Sequence, residues 1–130
     1  LLKWKGIFNM KILLVEDEVE LADTFARFLE LLGHDCVTAV NARQAIESVA
    51  QHNPEIVITD FCLPDGDGFD VTRHVCRSAP QTPVIFMTAN HRPGMEEDAR
   101  EAGAAVYLSK PLSLDALKNA VDAVVKARLS

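Results

Sequence analysis

Residues 56–68 read IVITDFCLPDGDG. Ile56, Val57, Ile58 and Thr59 are apolar or β-branched, the composition of a strand buried on both faces. A carboxylate, Asp60, follows directly. Then comes a turn rich in Pro and Gly, Phe61–Gly68. The strand is expected over Glu55–Thr59, with Asp60 at its C-terminal end. A strand that ends squarely on a carboxylate and hands over to a turn is the pattern around which the rest of the chain is organised.

Working outward, four more such strands appear. Lys11–Val15 is a continuous apolar run, Asp35–Val40 is β-like and nearer an edge, and Pro83–Thr88 and Ala104–Leu108 follow. Helical spacing fills the intervals. Val19–Leu32 carries Leu21, Phe25, Phe28, Leu29 and Leu32 on one face, and Gly33 stops it. Asn41 is placed to cap Ala42–Gln51, with Ala45, Ile46 and Val49 on one face and Pro54 breaking the helix. Phe69–Ser78 and Met95–Ala102 are further helices. Ser113 caps a last one, lined by Leu114, Leu117, Val121 and Val124. Five β-α units imply an α/β fold: one doubly wound, five-stranded parallel sheet with five helices on both faces. No internal repeat or low-complexity tract interrupts it. Residues 1–9 are expected to be an N-terminal extension, a linker or a non-native remnant, and 10–130 one domain.

Composition narrows the function. The 130 residues suit one core, and 48% hydrophobic with 25% charged residues is ordinary for a soluble globular domain. The net charge is -6 with no basic cluster, which argues against nucleic acid and anionic membrane as partners. Apolar runs are strand-sized, well short of the roughly 20 residues of a membrane span. Cys36, Cys62 and Cys76 form no CxxC pair, so reduced thiols in the cytoplasm are expected rather than a zinc or redox site. His34, His52, His74 and His91 are scattered and form no ligand set.

In open parallel sheets, ligands bind beyond the C-terminal strand ends. The first strand ends in Glu16-Asp17, the third in Asp60, the fourth in Thr88 and the fifth near Lys110. Three carboxylates, a hydroxyl and an ammonium thus converge on one sheet edge. Two like unit charges 4 Å apart repel by about 4 kcal/mol at an effective dielectric near 20. Such a cluster needs raised pKa values or a cation, and hard oxygen donors select Mg2+ or Mn2+. Aspartate can accept a phosphoryl group, and phosphoryl transfer asks mainly for positioning and positive charge. Asp65, Asp67 and Asp70 do not make a calcium loop: counted from Asp65, the sixth position is Asp70 rather than Gly and the twelfth is Cys76 rather than Glu. They are expected to solvate the loop.

From Lys11 to Leu129 the chain resembles the receiver domain of two-component response regulators. The resemblance is carried by ILLVEDE at 12–18, IVITDFCLPDGDG at 56–68, MTA at 87–89 and YLSKP at 107–111, each closing a strand. It implies a sheet order of 2-1-3-4-5, as in flavodoxin-like folds. It implies that Asp60 receives a phosphoryl group from a sensor histidine kinase or histidine phosphotransfer protein. Asp17 would bind Mg2+ directly, Glu16 directly or through water, and the Cys62 backbone carbonyl would complete the protein ligands with Asp60. Lys110 would pair with Asp60 and then with the phosphoryl group. Thr88, helped by the Ala89 amide, would hydrogen-bond it. Lys110-Pro111 is expected to be cis, Tyr107 to be the switching aromatic, and Cys62 and Asn90 to tune the phosphoryl lifetime. The response would remodel the face of the fourth helix, fifth strand and fifth helix for an output domain or protein. Such a domain is a regulatory phosphoacceptor with only self-catalysed chemistry. Two rival readings stand beside it: a phosphorylation-independent interaction module on the same fold, and a true enzyme such as an aspartate-dependent phosphatase, whose usual second Asp two residues on is replaced here by Cys62.

Overall fold

In a computed structural model of the chain, residues 9–129 are described. The expected extension at 1–9 lies, but for Asn9, outside the described residues. The strands are β1 (Lys11–Val15), β2 (Asp35–Ala39), β3 (Ile56–Asp60), β4 (Val84–Thr88) and β5 (Val106–Ser109). The helices are α1 (Val19–Leu31), α2 (Ala42–His52), α3 (Gly68–Ser78), α4 (Met95–Ala102) and α5 (Leu114–Leu129). All five strands are parallel, in the order β2-β1-β3-β4-β5.

Alternation along the strands explains the continuous apolar runs. Ile12, Leu14, Ile56, Ile58, Ile85 and Met87 face α1 and α5, against Phe25, Leu29, Leu117 and Val121. Leu13, Val15, Val57 and Val84 point the other way, against α2 and α3 through Ala45, Val49, Val71 and Val75. With successive side chains on opposite faces, a sheet covered on both sides has no polar phase. No helix among the described residues is long and apolar enough to cross a membrane.

The differences from the sequence expectations have local causes. β3 runs one residue further, so Asp60 belongs to the ladder, paired with Met87. β5 begins two residues late because the Ala104 N–H still donates to Ala99 O at the end of α4. α2 ends at His52 because Asn53 turns left-handed, with φ 48°. Leu114 is 38% exposed rather than buried with Leu117, since it opens the first turn of α5. The Phe61–Gly68 turn folds on itself as a two-residue ribbon, Cys62–Leu63 against Gly66–Asp67.

The loop acids are corrected too, because they do more than solvate. Asp65 accepts from the N–H groups of Ala42 and Arg43, at 2.7 and 3.0 Å, at the start of α2. Asp67 and Asp70 form a reciprocal capping box on α3. Orphan helix donors are satisfied by these carboxylates, and the loop is tied to two helices at once. The bonds from Ala42 and Arg43 hold the Asp65 carboxyl below the ordinary aspartate range.

Gly68 is where α3 touches the end of β3. A Cβ there would lie 2.5 Å from the Asp60 carbonyl oxygen and 2.9 Å from the Phe86 ring. At Gly66 the nearest atom would be the movable Asp70 Oδ2, at 3.2 Å. Gly68→Ala is therefore expected to cost about 1–3 kcal/mol by overpacking, and Gly66→Ala much less, as read from urea midpoints. Because the folded pKa of Asp65 is depressed, its stabilisation is present above the ordinary aspartate value of about 4 and is lost as pH falls through the lower folded value. The stability gap between the parent and Asp65→Asn is expected to be open at pH 6 and to close in acid. A gap independent of pH would refute the charged cap.

Candidate functional site

Register brings the site together. Val15 pairs with Thr59, Asp60 with Met87 and Thr88 with Ser109, so neighbouring strands finish nearly level. Backbone bonds extend each ladder by one residue. Glu16 N–H donates to Ala39 O at 3.0 Å, Phe61 N–H to Met87 O at 2.9 Å, and Lys110 N–H to Thr88 O at 2.8 Å. Glu16 and Lys110 are thereby fixed by sheet hydrogen bonds just past their strands.

The carboxylates of Glu16, Asp17 and Asp60 each offer an oxygen within 4.8 Å of the others. Their exposures differ. Glu16 is fully buried, Asp60 is buried and Asp17 is open to solvent. Lys110 reaches over them, with Nζ 2.6 Å from Glu16 Oε1 and 3.0 Å from Asp60 Oδ2. The other Glu16 oxygen, Oε2, accepts from the Glu18 N–H at 3.1 Å. Both Glu16 oxygens thus have donors, and among the described residues no buried side-chain polar atom lacks a partner.

Burial pushes the Glu16 carboxyl above the ordinary glutamate value; the hydrogen bonds from Lys110 and Glu18 partly offset this, and the Asp60 charge adds to it. For Lys110, burial opposes the charge. The hydrogen bonds and charges of Glu16 and Asp60 more than compensate and hold the ammonium above the ordinary lysine range. One cation among three carboxylates leaves two negative charges uncancelled. That donor set, all hard oxygens and in excess of its counter-charge, fits a divalent ion such as Mg2+.

Thr88 is buried at the end of β4, and its Oγ1 accepts from the Asn90 N–H at 2.9 Å. Asn90 is exposed, and its Oδ1 accepts from Arg92 N–H. The Cys62 thiol is exposed on the ribbon. The Lys110-Pro111 peptide is cis. Tyr107 is half-buried and stacked on Phe86 at 6.1 Å between centroids.

Sequence reasoning missed the Glu16–Lys110 ion pair, which depends on side-chain reach across 94 residues of chain. It also missed the aromatic cluster of Phe61, Phe69 and Phe86. The Asp67/Asp70 box did leave a signal, an acid three residues after a capping Asp at the head of an apolar-periodic run.

Known proteins share the fold and much of the sequence. The model of the response regulator receiver domain matches residues 12–122. Luminescence regulatory protein LuxO of Vibrio campbellii is 34% identical over 113 residues, 87% of this chain and 25% of that protein. Response regulator protein PilR of Pseudomonas aeruginosa is 32% identical over 120 residues, 92% of this chain and 27% of its own length. The chain thus spans about a quarter of the length of these curated relatives. Among solved structures, the signal receiver domain of a putative Luxo repressor protein from Vibrio parahaemolyticus superposes with a TM-score of 0.86 at 29% identity, covering 92% of each chain. A two-component response regulator from Clostridium difficile gives 0.89 at 25% identity, covering 94% of this chain and all 100% of that one. The matched segment begins inside β1 and runs into α5, taking in every strand end that carries the carboxylates, Thr88 and Lys110, and on that ground the chain belongs to the family of response regulator receiver domains.

Proposed function

We propose that this domain accepts a phosphoryl group on Asp60 from a phosphohistidine of a sensor histidine kinase or histidine phosphotransfer protein in the cytoplasm, and switches its surface in response. The observation that carries this is the Lys110 ammonium, 3.0 Å from Asp60 Oδ2 at an edge rich in carboxylates. Lys110 already engages Oδ2, so Oδ1 is the attacking atom. An O–P bond forms as the P–N bond breaks, and the electron pair returns to the donor imidazole, which takes up a proton. The product is an acyl phosphate and a neutral histidine. Attack by water on phosphorus then breaks that O–P bond, releases inorganic phosphate and returns Asp60 as a carboxylate, so the only group the domain hydrolyses is its own phosphoryl group.

Glu16, Asp17, Asp60 and the Cys62 backbone carbonyl would hold Mg2+, with Mn2+ as a substitute. When bound, the ion supplies positive charge to phosphoryl oxygens. Lys110 supplies a second charge, already aligned by its two carboxylate bonds and by the sheet bond of its own N–H. Thr88 Oγ1 accepts from Asn90 N–H, which leaves the hydroxyl proton to donate to a phosphoryl oxygen, beside the Ala89 amide. Thr88 drawn toward the phosphoryl group vacates space at the β4 end, and Tyr107 moves to fill it. The face of α4, β5 and α5 is remodelled for an output domain or protein. Cys62 and Asn90 flank the acceptor and set how easily water reaches it.

Asp60→Asn is expected to take up no label from acetyl phosphate and Mg2+ under conditions that label the parent; equal labelling would show that another residue is the acceptor. Asp17→Asn is expected to weaken Mg2+ binding about 10-fold or more in a calorimetric titration. Asp23→Asn, which removes an exposed acid paired with Arg27, serves as the unchanged control. Equal losses in both variants would mean a diffuse acidic surface rather than a site.

A further inference from the structure

Four aromatic rings form a chain that begins one residue after Asp60 and ends at Tyr107. The Phe61 ring meets Phe69 of α3 edge-on at 5.0 Å and Phe86 of β4 at 6.0 Å. Phe69 and Phe86 stack at 5.3 Å, with planes 13° apart. Phe86 in turn stacks on Tyr107 at 14°. Every step lies within the roughly 4.5–7 Å over which aromatic pairs attract. Phe86 is fully buried, and Met95, Ala99 and Ala104 pack in the same cluster. Phe86, the ring that touches all three others, has no slack around it, so a displacement of Phe61 or Phe69 against it is passed to Tyr107.

The starting point is well placed. Phe61 shares a peptide with Asp60, and its carbonyl accepts from Gly68 N–H at 2.7 Å, so the end of β3 and the start of α3 move as a unit. The end point is equally constrained, since Phe86 and Tyr107 are directly opposed across β4 and β5. Phe86 and Thr88 lie two residues apart, on one face of β4. Two lines therefore reach the neighbourhood of Tyr107. One starts at the Thr88 hydroxyl, the other at the backbone carrying the acceptor.

We propose that Phe69 and Phe86 are positioning residues for Tyr107, and that the ring chain carries a displacement of the β3 end to β5 without passing through Thr88. Phe69 also opens this line to the surface. It lines a groove of about 260 Å³ between α3 and α4 with Arg73, Asp98, Glu101 and Ala102, and the Arg73 guanidinium lies 5.7 Å from its ring centroid. α3 thereby joins the responding face. All of this rests on Asp60 being the acceptor, as proposed above.

Tyr107 is the chain's only tyrosine, so its ring resonances can be followed individually. The experiment compares their shift on adding Mg2+ and beryllofluoride in the parent, Thr88→Ala, Phe69→Leu, Phe69→Tyr and the Thr88→Ala/Phe69→Leu pair. Bound fluorine is read separately by its own resonance. With fluorine bound throughout, Thr88→Ala is expected to keep part of the Tyr107 shift and Phe69→Leu to reduce it. Phe69→Tyr, which keeps the ring, should restore it, and the double variant should lose it. A parent-sized shift in Phe69→Leu, or complete loss in Thr88→Ala alone, overturns the ring path while leaving the acceptor intact. Failure of the parent to bind fluorine overturns the acceptor assignment, and the ring path falls with it.

Discussion

The Lys110 ammonium is the constraint on which the site depends. Two buried carboxylates, Glu16 and Asp60, stand at the ends of adjacent strands. Without a cation their mutual repulsion and desolvation would favour protonation or an opened edge. Lys110 answers both carboxylates with one side chain, and its own backbone is tied to Thr88. Strands β1, β3 and β5 are thus joined by charge at the C-terminal edge, and β4 is tied in by the hydrogen bond from Lys110 N–H to Thr88 O. The unbalanced remainder of that charge is what suits the edge to a divalent ion.

A second layer of restraint holds the loop that follows Asp60. The ribbon brings Cys62 opposite Asp67, Asp65 reaches the start of α2, and the Asp67–Asp70 box starts α3. Acids that look like a solvated run are helix caps, and they anchor the loop bearing the Cys62 carbonyl to two rigid elements. The negative charge of the chain therefore falls into three uses: solvation, capping and the strand-end cluster.

Much of this was legible in the sequence, because parallel strands buried on both faces announce themselves as apolar runs and their ends can be read directly. Glu16-Asp17, Asp60, Thr88 and Lys110 each follow such a run, and parallel topology puts all those ends on one side. The sheet order came with the family resemblance and matches the structure. What local pattern could not show was side-chain reach. Glu16 reads as a ligand candidate by its place at a strand end, but its bonds from Lys110 to one oxygen and from the Glu18 N–H to the other are not written in any local pattern. Leu114 fits the apolar stripe of α5 by spacing but is turned outward in its first turn. Asp65 bonds to a helix 23 residues away, and ring contacts among Phe61, Phe69 and Phe86 depend on packing that no periodicity encodes.

The three thiols, all unpaired, sit in unlike surroundings. Cys36 is packed against the α1–α5 core, and burial pushes its thiol up to about 12, so almost none of it is thiolate at neutral pH. The Cys76 sulfur is half-buried and directed at the Gly103 carbonyl, 3.7 Å away. Cys62 alone is exposed, on the ribbon two residues beyond Asp60. Electrophilic labels are therefore sorted by the fold, and a maleimide dye or spin label added to the unmodified chain attaches first at Cys62, two residues from Asp60, turning the native cysteine into a local reporter of the strand-end cluster.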